Sequence, residues 1–495
     1  MKSELFDAVF RADTESVRQL LADGADPDER GANDETPLMA AAREGYVEII
    51  SALLDANANP TLEDALGRTA LVLAFLAEQE AAARLLLEHG ARIDLNLVLH
   101  LAYDWHKQTD EFKRAKRGEL KNKKPEGRNR PSKLINLPDF REQLIAVAEQ
   151  NDVHVARETK FFRLEYRRFP AAKGDVVLVI DLHLPDPMPK NSPPLFVFIH
   201  GGSWTGGTTG DDSFWLAAKL GFAAASVEYR LTTTAVFPAP VKDCKAAIRF
   251  LRSHAWEYGY DPDRVGVLGN SAGGHLALLL GLTPDDPELD CDAGDQNVSS
   301  AVQAVCSMSG PADMEAYARI IRLLDEAAEE KDKESRVNKV RHLLKDPHVK
   351  FLIDSSDKLV TYKKVPAKMA VSLLESGSRP ALLGLRKLAM WYLSKLYFDS
   401  KSPLKHLDEL NAVSPLWYAQ RLSKLPPEQK HKVAHFFLGY GKKDPYVPFA
   451  GAEKLATALE EANIPCEFHS LANADHDTSA LFPAAFRFLK EHLQP

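Results

Sequence analysis

The apolar positions of this 495-residue chain follow two different rhythms. In the first hundred residues they repeat every 33 positions: Thr36-Pro-Leu-Met-Ala-Ala lines up with Thr69-Ala-Leu-Val-Leu-Ala and with Ser3-Glu-Leu-Phe-Asp-Ala. Each copy runs on to a Leu-Leu pair and then to Gly24, Asn57 or Gly90. A helix that closes through a left-handed residue requires glycine there, or asparagine next best, so the period predicts three helix pairs ending at the same point.

From Leu137 onward, short apolar blocks alternate with helical stretches. Lys160–Tyr166 and Asp175–Leu184 predict an opening antiparallel pair. Leu195–Ile199, Phe222–Val227, Val265–Leu268, Val302–Met308 and His435–Gly439 predict central strands, and Glu467–Leu471 a last one. Asp243–Arg252 and Ala450–Asn463 carry the 3.6-residue helical period. This alternation predicts an α/β fold, a mostly parallel sheet flanked by helices. Residues 311–433 are far longer than one crossover needs and contain helical patterns at Arg319–Leu324, Val340–Leu344, Lys368–Leu374 and Leu382–Leu396. They are expected to form a helical insertion over about 312–425, capping the functional edge where long insertions gather.

One strand-turn-helix carries candidate chemistry. After the β-like Val265-Gly-Val-Leu268 comes Gly269-Asn-Ser271-Ala-Gly273-Gly274, which fits G-x-S-x-G and makes Ser271 the candidate nucleophile. The block ending at Ile199 leads into His200-Gly-Gly-Ser-Trp-Thr-Gly-Gly207. The backbone N–H groups of Gly201 and Gly202 in that loop, with that of Ala272 at the helix start, are the candidate oxyanion donors. A serine also needs a base, and the base an orienting carboxylate. Asp444 and His476 fall in the loops after two successive late strands, giving the order Ser271, Asp444, His476. His200 belongs with the oxyanion loop, His275 lies on the elbow helix, and His435 and His469 sit within strands. Asp475 and Asp477 are too near His476 in sequence to orient its ring.

On these residues the chain resembles two known families. Residues 1–95 resemble ankyrin repeats, whose T-P-L-H-x-A opening they match with Met39 in place of the histidine. That resemblance implies a protein-binding surface; packing on the neighbouring domain or self-association is the alternative use of such a stack. Residues of about 150–495 resemble the α/β-hydrolase family, in its hormone-sensitive-lipase-like and feruloyl/acetyl esterase-like branches. The matches are His200-Gly-Gly, Tyr229-Arg-Leu231, Phe237-Pro-Ala239 with Asp243, Gly269-Asn-Ser-Ala-Gly-Gly274, Asp444 and His476. Departures are Ser203 for a third glycine, Thr232-Thr-Thr for Ala-Pro-Glu, Gly439-Tyr-Gly before the acid, and the enlarged insertion. The resemblance implies a serine hydrolase that cleaves small to medium acyl or aryl carboxylic esters through an acyl-enzyme, with no cofactor. Arylformamidases share the His-Gly-Gly-x-Trp loop, so an arylformamidase or amidase is the runner-up. The rival from another class is an inactive hydrolase-fold scaffold whose ankyrin repeats bind a protein.

Composition narrows the setting. A chain of this length exceeds one core, and its expected parts are ankyrin repeats at 1–105, a linker at 106–135 and a hydrolase domain at 136–495. Between Lys107 and Lys133 eleven Lys/Arg face four Asp/Glu, a local +7 that leaves −15 for the rest of a chain whose total is −8. Such a segment, poor in apolar residues, reads as a solvated linker, and the negative total argues against nucleic-acid binding. Cys244, Cys291, Cys306 and Cys466 lack metal-like spacing, so reduced thiols are expected rather than disulfides or a metal site. No apolar run approaches a membrane span and the start lacks a signal-peptide layout, so a cytoplasmic location is expected.

Overall fold

In the computed structural model, Thr36 and Thr69 begin two helices in the same way. Each hydroxyl accepts the N–H of the residue three positions on, Met39 or Val72, at 3.3 Å. Met39 occupies the position of the usual histidine, and its sulfur accepts the Thr36 N–H at 3.4 Å. The structure describes residues 4–77, 79–92, 158–170, 174–209, 217–218, 220–284, 286–290, 298–354, 371–372, 374–396 and 411–493. They divide into two units, one built chiefly from the repeats and the other from the sheet and its helices.

The repeats supply three helix pairs: α1 (Glu4–Phe10) with α2 (Thr14–Ala22), α3 (Pro37–Glu44) with α4 (Val47–Asp55), and α5 (Ala70–Leu76) with α6 (Glu80–Glu88). Gly24, Asn57 and Gly90 close them at φ 92°, 65° and 90°. The N–H of the next alanine, Ala25, Ala58 or Ala91, reaches back to Leu20, Leu53 or Leu86 at 2.9 Å. This is the Schellman closure, made three times at the predicted left-handed residues. Leu38, Ile50, Leu53, Leu71, Phe75 and Leu86 belong to one core that runs through all three pairs, since no pair buries its apolar face alone. The expected capping segment at 97–105 and the linker lie outside the described residues.

The second unit holds an eight-stranded sheet. Its strands are β1 (Glu158–Phe169), β2 (Val176–Asp186), β3 (Pro194–Ile199), β4 (Ala223–Val227), β5 (Asp261–Asn270), β6 (Ala304–Met308), β7 (His435–Gly441) and β8 (Cys466–Leu471). Their order is β1-β2-β4-β3-β5-β6-β7-β8. β2 pairs with β4 antiparallel, and every pairing from β4 across to β8 is parallel. β4 and β6 are buried throughout, which is why they read as unbroken apolar runs rather than alternating ones. The chain lays β4 on one side of β3 and β5 on the other. This puts the topological switch, and hence the crevice for a ligand, at the carboxyl ends of β3 and β5.

Between β6 and β7 lie helices Glu315–Glu329, Lys333–Leu343, Pro347–Asp354, Arg379–Leu396 and Pro415–Leu422. Most of the expected Lys368–Leu374 pattern lies outside the described residues. Pro347–Asp354 was not anticipated; it buries His348, Val349 and Ile353 among its described side chains. The two ends of the insertion meet at Ser414. Its hydroxyl donates to the Ala312 carbonyl at 3.2 Å and accepts the Met314 N–H at 3.2 Å, while the Leu416 N–H also reaches Ala312 at 3.0 Å.

Candidate active site

β5 ends at Asn270 and the next helix runs Ala272–Leu282, so Ser271 alone makes the corner, at φ 55° and ψ −119°. A non-glycine residue held there costs of order 1–3 kcal/mol and must be fixed from outside. The Ser271 N–H donates to the Met308 carbonyl on β6 at 2.8 Å, and its carbonyl accepts the His275 N–H at 3.1 Å. The flanking glycines answer to close backbone approach. A Cβ on Gly273 would lie 1.9 Å from the Ile199 carbonyl oxygen, and one on Gly269 would lie 2.1 Å from that of Gly273.

The loop after β3 passes directly against the serine. A Cβ on Gly201 would be 3.3 Å from the Ser271 Cβ. Tyr229, almost fully buried, donates its hydroxyl to the His200 carbonyl at 3.0 Å and stacks on the imidazole at 4.4 Å. The Thr232 N–H reaches the Trp204 carbonyl at 2.8 Å. Between these two contacts Arg230 binds the fully buried Asp243 through Nε at 2.7 Å, Nη2 at 2.9 Å and its backbone N–H at 3.0 Å, and Arg167 adds a fourth bond at 3.1 Å. The Tyr-Arg-Leu segment and Asp243 thus brace the loop from behind, a role their sequence match alone did not reveal. Among the described residues, none accepts a hydrogen bond from the N–H of Gly201, Gly202 or Ala272.

Asp444 follows β7 and His476 follows β8, and the structure brings them together: His476 Nδ1 lies 2.7 Å from Asp444 Oδ2. Asp444 Oδ1 accepts the N–H groups of Tyr446 at 2.8 Å and Val447 at 3.0 Å, so both carboxylate oxygens are engaged. Gly441 permits the meeting, since a Cβ there would be 2.0 Å from the Asp475 carbonyl oxygen. Asp475 and Asp477 instead serve their own turn, accepting from the backbone of Asp477 and Ser479. Among the described residues no hydrogen bond joins the Ser271 hydroxyl to His476, whose Nδ1 is engaged by Asp444.

The remaining histidines have other partners. Fully buried His275 stands edge-on to Trp204 at 5.3 Å and donates through Nε2 to the Val413 carbonyl at 2.7 Å. Burial pushes its pKa down to about 3, so it stays neutral. His469 stacks on Phe437 and lies 3.2 Å from Glu467, and His435 meets His492 edge-on. Sequence reasoning missed Tyr446, whose ring stands 5.2 Å from that of His476; an aromatic two positions after the acid was the available signal. Cys244 and Cys306 are buried, and desolvation raises both thiols well above their ordinary pKa, while Cys291 lies outside the described residues. Among the described residues no group of three His, Cys, Asp or Glu could hold a metal, and no helix is long and apolar enough to cross a membrane.

With a mostly parallel sheet in this strand order, a serine on a strand-to-helix elbow and an Asp–His pair on the last two strand loops, the second unit is an α/β-hydrolase-fold domain. Residues 180–365 match the BD-FAE family model, and residues 5–96 match three copies of the ankyrin repeat. The chain therefore carries an ankyrin stack and an α/β-hydrolase domain related to esterases. It is 30% identical over 194 residues to esterase LipQ of Mycobacterium tuberculosis, covering 36% of this chain and 45% of LipQ. Esterase LipC of the same organism is 30% identical over 156 residues, 31% of this chain and 38% of LipC. Mouse arylacetamide deacetylase is 41% identical over 90 residues, 17% of this chain and 23% of the deacetylase. The chain thus spans less than half the length of each of these relatives.

Proposed function

We propose that this chain is a serine hydrolase acting on carboxylic esters of small to medium acyl or aryl type. The observation that carries the reading is the 2.7 Å Asp444–His476 bond at the same strand ends as Ser271 on its elbow. Ser271 Oγ attacks the ester carbonyl as His476 Nε2 takes its proton. Asp444 holds the imidazole with its proton on Nδ1 and stabilises the imidazolium. The oxyanion accepts from the N–H groups of Gly201, Gly202 and Ala272, where each donor is worth roughly 10²–10³ in rate. The C–O bond then breaks, His476 hands its proton to the departing alcohol, and water repeats the sequence to free the acid. The insertion over about 312–425 acts as the cap on this edge, and the ankyrin stack as the surface for a protein partner or a second copy. The buried thiol of Cys244, in no disulfide, supports a cytoplasmic location.

A fluorescent fluorophosphonate tests the reading without a guessed substrate. Labelling of the wild type that is lost in both Ser271→Ala and His476→Ala is expected, and a wild type that stays unlabelled refutes it. Amide cleavage is the second reading, favoured by the similarity to arylacetamide deacetylase. An acetanilide turned over faster than its phenyl ester counterpart would select it.

A further inference from the structure

In ester cleavage the proton taken from the nucleophile passes to the departing alkoxide, so the general acid must touch the leaving group. A side chain packed against that imidazole can therefore meet the alcohol half of the ester. Tyr446 holds this place. Its ring centre is 5.2 Å from that of His476, inclined at 74°, yet 45% of the residue remains exposed. A hydrogen bond from Nε2 places the alkoxy oxygen about 2.6–3.2 Å beyond the imidazole. A phenol ring centred 5.2 Å from the imidazole can reach the first carbons past that oxygen. The ring is also fixed at its base, because Asp444 Oδ1 takes the N–H of Tyr446 and of the buried Val447 while Oδ2 holds His476. One carboxylate thus sets both the general acid and the aromatic wall beside it.

We propose that Tyr446 is a specificity-determining contact for the leaving group, and that the substrates are esters whose alcohol half carries an aromatic ring. This rests on the reading of Ser271, His476 and Asp444 given above. Aromatic rings gain on one another beyond what equal apolar area supplies, by an amount equivalent to a preference of about two- to twelve-fold.

The test compares kcat/KM for benzyl acetate and cyclohexylmethyl acetate, which share an acyl group and nearly match in the size and acidity of the alcohol. Wild type and Tyr446→Phe should favour the benzyl ester about two- to twelve-fold, and Tyr446→Leu should bring the ratio near one. Tyr446→Ala, melted beside the others to check folding, should give the same loss if the leucine variant misfolds. A wild-type ratio of one overturns the proposal whatever the variants do, as does a leucine variant that keeps the wild-type preference. A change confined to acyl selectivity, read with ethyl acetate and ethyl benzoate, would put Tyr446 on the wrong side of the site. Fluorophosphonate labelling of the wild type separates the two levels. A labelled enzyme with equal ratios sinks the Tyr446 contact alone, and an unlabelled one sinks the reading beneath it.

Discussion

Asp444→Asn should separate the two oxygens of one carboxylate. The asparagine carbonyl can keep the bonds that Oδ1 makes to the Tyr446 and Val447 N–H groups. Its NH2 must then face His476 Nδ1, which is 2.7 Å from Oδ2 in the native site. Two donors cannot share that contact, so the imidazole moves its proton to Nε2 and can no longer accept from Ser271. Turnover should fall by about 10⁴, about 5.5 kcal/mol of transition-state stabilisation, while the melting temperature stays near that of the wild type. Asp444→Ala should lose the same turnover and also stability. Val447 is buried, so its orphaned N–H costs about 1–3 kcal/mol. Each kcal/mol lowers the melting temperature by about 2–4 °C in a domain of a few hundred residues. The assay is the initial rate with benzyl acetate, whose poor leaving group demands a proton, together with a thermal melt. A folded Asp444→Asn enzyme within tenfold of wild type would show that another group orients the base. Equal melting points for the two variants would remove the structural role given to Oδ1.

Two further outcomes follow from packing and burial. Gly273→Ala should cost more than the 1–3 kcal/mol typical of overpacking and abolish labelling, because the new Cβ would sit 1.9 Å from a backbone oxygen that cannot step aside; a melt at the wild-type temperature refutes it. His275 stays neutral when folded but accepts a proton near pH 6.5 when unfolded, so the unfolded chain binds more protons between those limits. Its stabilisation is full above about pH 6.5 and declines as pH falls toward 3, by of order 2 kcal/mol at pH 5. Denaturant midpoints at pH 7.5 and 5 should show that loss, and His275→Gln should shrink it; an unchanged slope assigns the acid sensitivity to other groups.

What the sequence disclosed was set by short-range rules. Gly24, Asn57 and Gly90 announce left-handed closures because only local backbone sterics decide them. Gly269 and Gly273 announce the elbow because a Cβ at either meets backbone within a few residues or on the adjacent strand. The meeting of Asp444 with His476 could be expected from chain order because parallel strands deliver their loops to one edge in sequence. The supports beneath the site were not legible. Met308 holds the Ser271 N–H through a strand pairing, and Tyr229 reaches His200 only because β4 lies beside β3. The dual use of Asp444 likewise depends on the turn that brings Tyr446 and Val447 back over its side chain.

The insertion between β6 and β7 is long, yet its length need not disturb the site, for a reason visible where it leaves the sheet. Ser414 and Leu416 on its exit bond Ala312 and Met314 on its entrance, so its two ends are tied into a closed neck. Closure entropy grows slowly with loop length once such a neck exists, about 0.6 kcal/mol per doubling, and extra helices can be carried at small cost. The neck is not independent of the serine. Val413, one residue before Ser414, gives its carbonyl to His275 on the elbow helix, and the same imidazole meets Trp204 of the His200–Gly207 loop edge-on. Any displacement of the neck therefore reaches the His200–Gly207 loop through one buried side chain. His275 thus bridges insertion and loop, and it does so as a neutral ring because burial disfavours its charged form, against the opposing pull of the Val413 hydrogen bond.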